Sequence, residues 1–186
     1  MNLTFDIIDS TGNNDQYQPG DIACIYPKNS EEDVEIMLKY FELSADTLLE
    51  IELKPEYEHQ TNKALPNLIK AWDLFEWVLD LKKPPKFFFF KLLMFYTQDE
   101  THKERLDEID FDDYWSYCVK EKRKISEILF DFDTVKLPLE IFLQFIGFIK
   151  PREYSIASSL KLHPNQFKLL VASVEYETPF KRQIKG

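Results

Sequence analysis

The sequence predicts an α+β protein: a discontinuous β domain, residues 1–30 and 150–186, interrupted by an all-helical domain, residues 31–149. Three observations predict it. Apolar and polar residues alternate near both ends of the chain, whereas a helical spacing of apolar residues governs the stretch between them. Neither terminal block holds enough strands to be stable alone, so the two blocks must pair with each other and leave the helices as an insertion.

In chain order, Leu3, Phe5 and Ile7 alternate with polar neighbours. Residues 11–15 are turn-rich, and Pro19-Gly20 supplies turn geometry before the apolar run 22–26. At Ser30 the period changes. Ser30 and Asp33 have the spacing of a helix cap, and Val34, Met37, Leu38 and Phe41 follow as an apolar stripe. A polar link covers residues 50–63. Pro66 opens a second helix over residues 68–80, apolar on most sides through Trp72, Phe75, Trp77 and Val78, and Pro84-Pro85 ends it. A third short helix covers residues 88–97, and the four phenylalanines 87–90 read as core.

Residues 99–113 are strongly acidic and include Asp110, Asp112 and Asp113, but no repeated loop spacing points to a metal, so a solvated helix surface is expected. A long helix over residues 114–130 should turn Tyr117, Cys118, Ile125, Ile128 and Leu129 inward. It carries the chain's one dense basic cluster, Lys120, Lys122, Arg123 and Lys124. Pro138 starts another helix and Gly147 can end it. A final strand over residues 167–178 would set Leu169, Val171 and Ser173 on one face, and Leu170, Ala172, Val174 and Tyr176 on the other.

Composition narrows the function classes. With 44% hydrophobic residues and 16 Phe among 186, the chain can bury a core. Its formal net charge of -10 repels nucleic acid and anionic membrane unless positive charge is concentrated locally, so neither is expected as a partner. Two cysteines, Cys24 and Cys118, indicate neither a disulfide framework nor a zinc site. No secretory leader or membrane span is visible, which fits a cytoplasmic protein. Four glycines are too few and too scattered for a nicotinamide-binding fingerprint.

Nucleophilic catalysis lacks candidates. His59, His102 and His163 lie in polar or loop contexts, and Ser158 and Ser159 have no glycine-flanked elbow. The stronger constellation is residues 150–159, Lys-Pro-Arg-Glu-Tyr-Ser-Ile-Ala-Ser-Ser. Pro151 disfavours helix just before it, so an extended segment comes next, with Arg152 and Tyr154 on one face and Ser155 on the other unless a bulge re-aims one. A cation, a flat ring and a small hydroxyl suit a planar ligand that carries phosphate.

Motifs along the whole chain give this constellation a context. Pro19-Gly20-Asp21 and Tyr26-Pro27-Lys28-Asn29-Ser30 come first, then Pro151-Arg152-Glu153-Tyr154-Ser155-Ile156-Ala157-Ser158-Ser159, His163-Pro164-Asn165, and Val174-Glu175-Tyr176-Glu177-Thr178. In this order they resemble the NADPH-dependent diflavin reductases. Within that family the chain looks most like the branch that supplies electrons to cytosolic iron-sulfur protein assembly, on Asn29-Ser30-Glu31-Glu32-Asp33-Val34, Tyr117-Cys118 ahead of Arg123 and the Ile128-Leu129 helix, and Ser155 to Ser159 with Leu160.

The resemblance implies an antiparallel FAD-binding β-barrel, incomplete here, with an inserted all-helical connecting domain. It makes Arg152 a phosphate ligand, Tyr154 the ring that stacks on the isoalloxazine, and Ser155 the catalytic hydroxyl that assists hydride transfer. Glu153 belongs to the same cofactor-binding run. Ala172 and Tyr176 would line the cofactor, and Gly186 would open the pyrophosphate-binding loop. Lys122 stands where the family often has an arginine; it keeps the charge and loses the planar fork. The family's Thr-x-Arg is missing around residues 70–72. The implied whole enzyme passes electrons from NADPH through FAD and FMN to a protein acceptor, and this chain would be its FAD-binding and connecting portion, inactive without the FMN and NADPH domains. Two other readings stay open: a non-catalytic module that orients neighbouring domains, and a reductase that serves a cytochrome, sulfite or methionine-synthase acceptor.

Overall fold

The computed structural model describes residues 1–7, 17–18, 20–52, 65–163 and 165–185. The expected loop at residues 11–15, Pro19, most of the polar link, His59, Pro164 and Gly186 lie outside them. In chain order the elements are β1 (Asn2–Asp6), β2 (Ile22–Ile25), α1 (Glu31–Tyr40), β3 (Leu48–Glu50), β4 (Leu68–Lys70), α2 (Ala71–Asp73), α3 (Phe87–Leu93), α4 (Glu100–Glu108), α5 (Phe111–Tyr114), α6 (Ile125–Asp131), α7 (Leu139–Phe145), β5 (Arg152–Ser155), β6 (Gln166–Leu170), β7 (Glu175–Glu177) and β8 (Gln183–Lys185). Single π-helical turns, Leu74–Val78 and Trp115–Val119, prolong α2 and α5, and a 3-10 turn, Met94–Tyr96, prolongs α3.

The protein is therefore α+β, and the described strands form four two-stranded antiparallel sheets in which no closed barrel is traced. The chain divides into two compact units: Met1–Pro27, Pro151–Glu177 and Gln183–Gly186 in one, Lys28–Lys150 and Thr178–Arg182 in the other.

In the first unit, β1 pairs with β6 and β2 with β5, so strands from opposite ends of the chain do meet. A bridge between Ile156 and Leu169, with Ala157 N–H donating to the Lys168 carbonyl at 2.8 Å, sets the chain just after β5 beside β6. Opposed residues share a face, which lets Phe5 and Phe167 stack with centroids 5.0 Å apart. Tyr17 adds an edge contact to Phe167, donates to the Gln166 carbonyl and bonds Ser158 Oγ at 2.7 Å. Leu169 is fully buried. The alternation between Leu169 and Leu170 is as expected, but the single strand over residues 167–178 is not: it breaks after Leu170, and β7 pairs instead with β8.

The second unit holds the large core, with Phe75, Phe89, Phe90, Phe132 and Phe142 buried almost completely. Each is worth about 1.5–3 kcal/mol of burial. Ser30 caps α1 by accepting from Asp33 N–H, and Val34, Met37 and Leu38 point inward as their spacing demands. Phe41 packs on Phe75 and Phe142 at centroid distances of 5.9 and 5.1 Å. The expected helix over residues 68–80 starts later, because residues 68–70 form β4 and pair with β3, a strand lying partly within the expected polar link. The π turn after α2 adds one residue to the helical turn, which rotates the downstream face and leaves Trp77 42% exposed. Of the four phenylalanines, Phe89 and Phe90 are core, Phe87 is half-buried and Phe88 is exposed.

The expected long helix over residues 114–130 is two helices. After the π turn, Arg123 N–H donates to the Cys118 carbonyl and Lys122 N–H to the Val119 carbonyl, with Lys122 at φ 50. These are the bonds of a Schellman stop, with lysine in the left-handed position that glycine usually fills. Glu42, at φ 55, ends α1 in the same way through bonds from Leu43 to Leu38 and from Glu42 to Lys39. The inward set Cys118, Ile125, Ile128 and Leu129 is buried as expected, and Tyr117 is half-buried. Among the described residues, no helix is long and apolar enough to cross a membrane, and no group of three metal-type side chains converges.

Candidate functional site

The site begins with Pro151, which prevents helix and releases residues 152–155 into β5. Pairing with β2 fixes their faces: Arg152 lies opposite Ile25, Glu153 opposite Cys24, Tyr154 opposite Ala23 and Ser155 opposite Ile22. Arg152 and Tyr154 therefore share one face, the guanidinium side exposed and the ring half-buried, while Glu153 and Ser155 share the other. At Ser155 the strand changes partner. Ile156 N–H still donates to Asp21, but Ile156 bridges Leu169 of β6 and Ala157 bonds Lys168. Ser155 is thus the last residue of β5 before the chain passes to its other neighbour. It is exposed there.

The remaining expected site residues are spread over other elements. Ala172 lies in the link between β6 and β7 rather than on a strand, and it is exposed. Tyr176 is the middle residue of β7, opposite Ile184, and is 40% exposed. Lys122 belongs to the helical unit, where it occupies the strained stop before α6 with its side chain exposed. Gly186 lies outside the described residues. The chemistry available on β5 is binding chemistry: a fork of donors for phosphate oxygens, a ring face for a flat heterocycle, and one hydroxyl.

Ser158, Ser159, His102 and Cys118 are engaged in structure. Ser158 Oγ accepts from Lys168 N–H at 2.9 Å and bonds Tyr17, and Ser159 closes the turn that holds His163 N–H. His102 bonds Thr134 through Nδ1 at 2.6 Å and sets its ring edge on Phe132. Cys118 is fully buried, and desolvation pushes its thiol up to about 12 against the influence of Arg123. It stays protonated at neutral pH.

The profile of a family described as the FAD binding domain matches residues 1–186. The chain belongs to the FAD-binding domain family, in its diflavin-reductase branch. It is 33% identical to the NADPH-dependent diflavin oxidoreductase 1 of Mus musculus over 191 residues, covering 99% of this chain and 31% of that protein. The Danio rerio protein of the same name is 33% identical over 190 residues, with 99% and 31% covered. The Dictyostelium discoideum protein is 34% identical over 172 residues, with 90% and 27% covered. The chain thus spans less than a third of the length of these curated relatives.

The donor set of this FAD-binding domain fits the cofactor in kind. Arg152, exposed, and Tyr154, half-buried, stand two residues apart on one face of β5, so a cation and a ring face lie side by side. Sequence reasoning did not reach the supports beneath that run. Tyr17 ties Ser158 to Gln166 and so anchors the turn after Ser155, yet its sequence context is a polar stretch with no motif. The one signal was an isolated aromatic residue among turn formers.

Proposed function

We propose that this chain is the FAD-binding and connecting region of an NADPH-dependent diflavin oxidoreductase. The first unit is read as part of an antiparallel FAD-binding β-barrel, and the helical unit as the connecting domain inserted into it. The observation that carries the reading is the register of β2 on β5, which places Arg152 and Tyr154 on a shared face. The exposure of Ile22, Leu170 and Val174 supports a β unit that packs against more than the strands described here.

In this reading Arg152 binds the cofactor phosphates through charge-assisted bonds, and Tyr154 offers its ring to the isoalloxazine. Ser155, at the end of β5, places its hydroxyl at the reacting edge, where it orients and holds a proton. Glu153, Ala172 and Tyr176 border the same ligand, Lys122 adds a positive charge toward its phosphates, and Gly186 begins the pyrophosphate loop. When bound, FAD supplies the exchange between two-electron and one-electron chemistry that a protein lacks. The protein in full takes electrons from NADPH and passes them through FAD and FMN to a protein acceptor, the cytosolic iron-sulfur assembly machinery, in the cytoplasm. The similarity to proteins named for diflavin chemistry favours this over a spacer module, and the choice of acceptor rests on the sequence resemblance alone.

FAD titration of the purified protein, followed by flavin fluorescence, tests the assignment. Wild type should bind, Tyr154→Ala should weaken binding about tenfold or more, and Arg152→Ala comparably. Unchanged affinity in both variants, with native circular dichroism, would remove β5 from the site.

A further inference from the structure

The helical unit carries an exposed aromatic surface that no step of the proposed cofactor chemistry uses. Phe88 of α3 is 75% exposed, Phe111 of α5 59%, and Trp115, just beyond α5, 45%. They belong to one connected group of rings. Phe111 and Trp115, one helical turn apart, stack with centroids 6.3 Å apart at 26°. Phe87 lies 6.0 Å from Phe111 and 6.2 Å from Phe88, bridging them. Beneath, Tyr114 is buried, donates to the Pro85 carbonyl at 3.0 Å and meets Phe90 edge-on, so the patch sits on the rigid core rather than on a loop.

The charge around the rings is predominantly negative. Residues 86–115 hold eight carboxylates against four cations, Lys86, Lys91, Lys103 and Arg105. Lys91, the cation nearest the rings at 5.9 Å from the Phe87 centroid, is engaged with the Leu106 and Asp107 carbonyls. Lys103 pairs with Glu100, and the Arg105 guanidinium lies over Phe132. Asp112 and Asp113 follow Phe111 in sequence, are exposed and have no cationic partner among the described residues. Desolvating phenylalanine and tryptophan supplies affinity, whereas a predominantly acidic rim selects the partner and speeds encounter.

We propose that Phe88, Phe111 and Trp115 form a docking surface for a protein partner that presents a cationic segment with apolar anchors. The size of the patch argues for transient contact and against a second copy of this chain. The three rings expose on the order of 350 Å², taking about 200 Å² for a fully exposed aromatic side chain. A stable interface needs about 800 Å² from each partner. The acidic rim also repels an identical acidic rim and an anionic bilayer, and it attracts lysine and arginine. The inference is independent of the cofactor assignment.

The test uses the full chain and a short fluorescent amphipathic peptide of leucine and lysine, with the glutamate counterpart as control, read by anisotropy at physiological salt. The lysine peptide should bind and the glutamate peptide should not. Phe111→Ser with Trp115→Ser, or Phe88→Ser alone as a milder variant, should weaken binding, the double variant by about tenfold or more. Asp112→Asn with Asp113→Asn should weaken it severalfold, and Glu32→Gln with Glu35→Gln on α1 should leave it unchanged. No binding, equal losses from the α5 and α1 acid variants, or indifference to the ring variants would each overturn the proposal. So would dimerisation of the wild type that Phe111→Ser abolishes in sedimentation, or binding to phosphatidylserine vesicles that depends on the same rings.

Discussion

Replacing Lys122 by glycine should stabilise the helical unit. Lys122 holds φ 50 at the stop between the π turn and α6, a conformation that costs a residue with a Cβ about 1–2 kcal/mol. Its side chain is exposed and enters no hydrogen bond or ion pair of the described structure, so glycine forfeits no contact. Glycine does return about 0.5–1 kcal/mol through its greater freedom in the unfolded chain. The balance is a gain of about 0.5–1 kcal/mol. In urea denaturation followed by tryptophan fluorescence, that gain raises the midpoint by roughly 0.3–0.5 M at a typical slope. Lys122→Ala removes the charge and keeps the strain, so its midpoint should stay near that of wild type. Glu42→Gly, at φ 55 in the same type of stop, should reproduce the gain. A lower midpoint for Lys122→Gly, or equal midpoints for the glycine and alanine variants, would refute the reasoning. The pair also separates strain from function: if the ammonium reaches FAD phosphate, both variants lose affinity equally although only one gains stability.

Two further outcomes concern buried polar groups in the same unit. Asn29 Nδ2 donates to the Phe75 and Leu79 carbonyls, each at 2.6 Å, and so satisfies the end of the π turn. Asn29→Ala should cost about 1–3 kcal/mol in the same denaturation assay, because the Phe75 carbonyl loses the Asn29 donor while the Leu79 carbonyl keeps Leu81 N–H at 3.1 Å; a loss under about 0.5 kcal/mol would show that water replaces the amide. For the thiols, Cys24 is exposed and Cys118 buried, so a disulfide reagent should titrate one thiol in native protein and two in urea. Burial raises the Cys118 thiol to about 12, and burial with the Asp131 hydrogen bond raises the Tyr117 phenol further. Both folded values exceed the unfolded ones, so the folded state holds these protons longer. Stability is intact below pH of about 9 and falls as pH rises from there toward about 12. Urea midpoints unchanged up to a pH of about 11 would contradict this.

The pairing of the two ends was legible because alternation is a local signal and two strands cannot stand alone. The cap at Ser30 and the inward set of α1 were legible for the same local reason. The elements that were missed share a cause. A chain with four glycines must fill left-handed positions with other residues, and here Glu42, Lys122 and Lys181 do so. The usual punctuation is absent where α1 ends and where the helical run breaks at residue 122. The apolar periodicity of Tyr117, Cys118, Ile125, Ile128 and Leu129 survives the break because the π turn and the stop together return the chain to the same core. Periodicity therefore argued for one long helix, whereas backbone bonds built two. Similarly, Leu68 and Ile69 read as the start of a helix, and only the distant Leu48–Glu50 strand makes them β.

At the candidate site the division falls between what one strand specifies and what its neighbours specify. That Arg152 and Tyr154 share a face needs only the two-residue repeat of an extended chain, and the β2 register agrees with it. The path of the chain beyond Ser155 needs β6, because the change of partner at Ile156 depends on Leu169 and on the Tyr17–Ser158–Gln166 contacts. Ala172 and Tyr176 were assigned to one face of one strand. The chain leaves regular structure between them, so that alternation cannot relate their side chains. Residues whose roles rest on β5 alone are therefore the ones to test first. A variant at Ala172 probes the link between β6 and β7, whereas a variant at Tyr154 probes the strand that carries the cation.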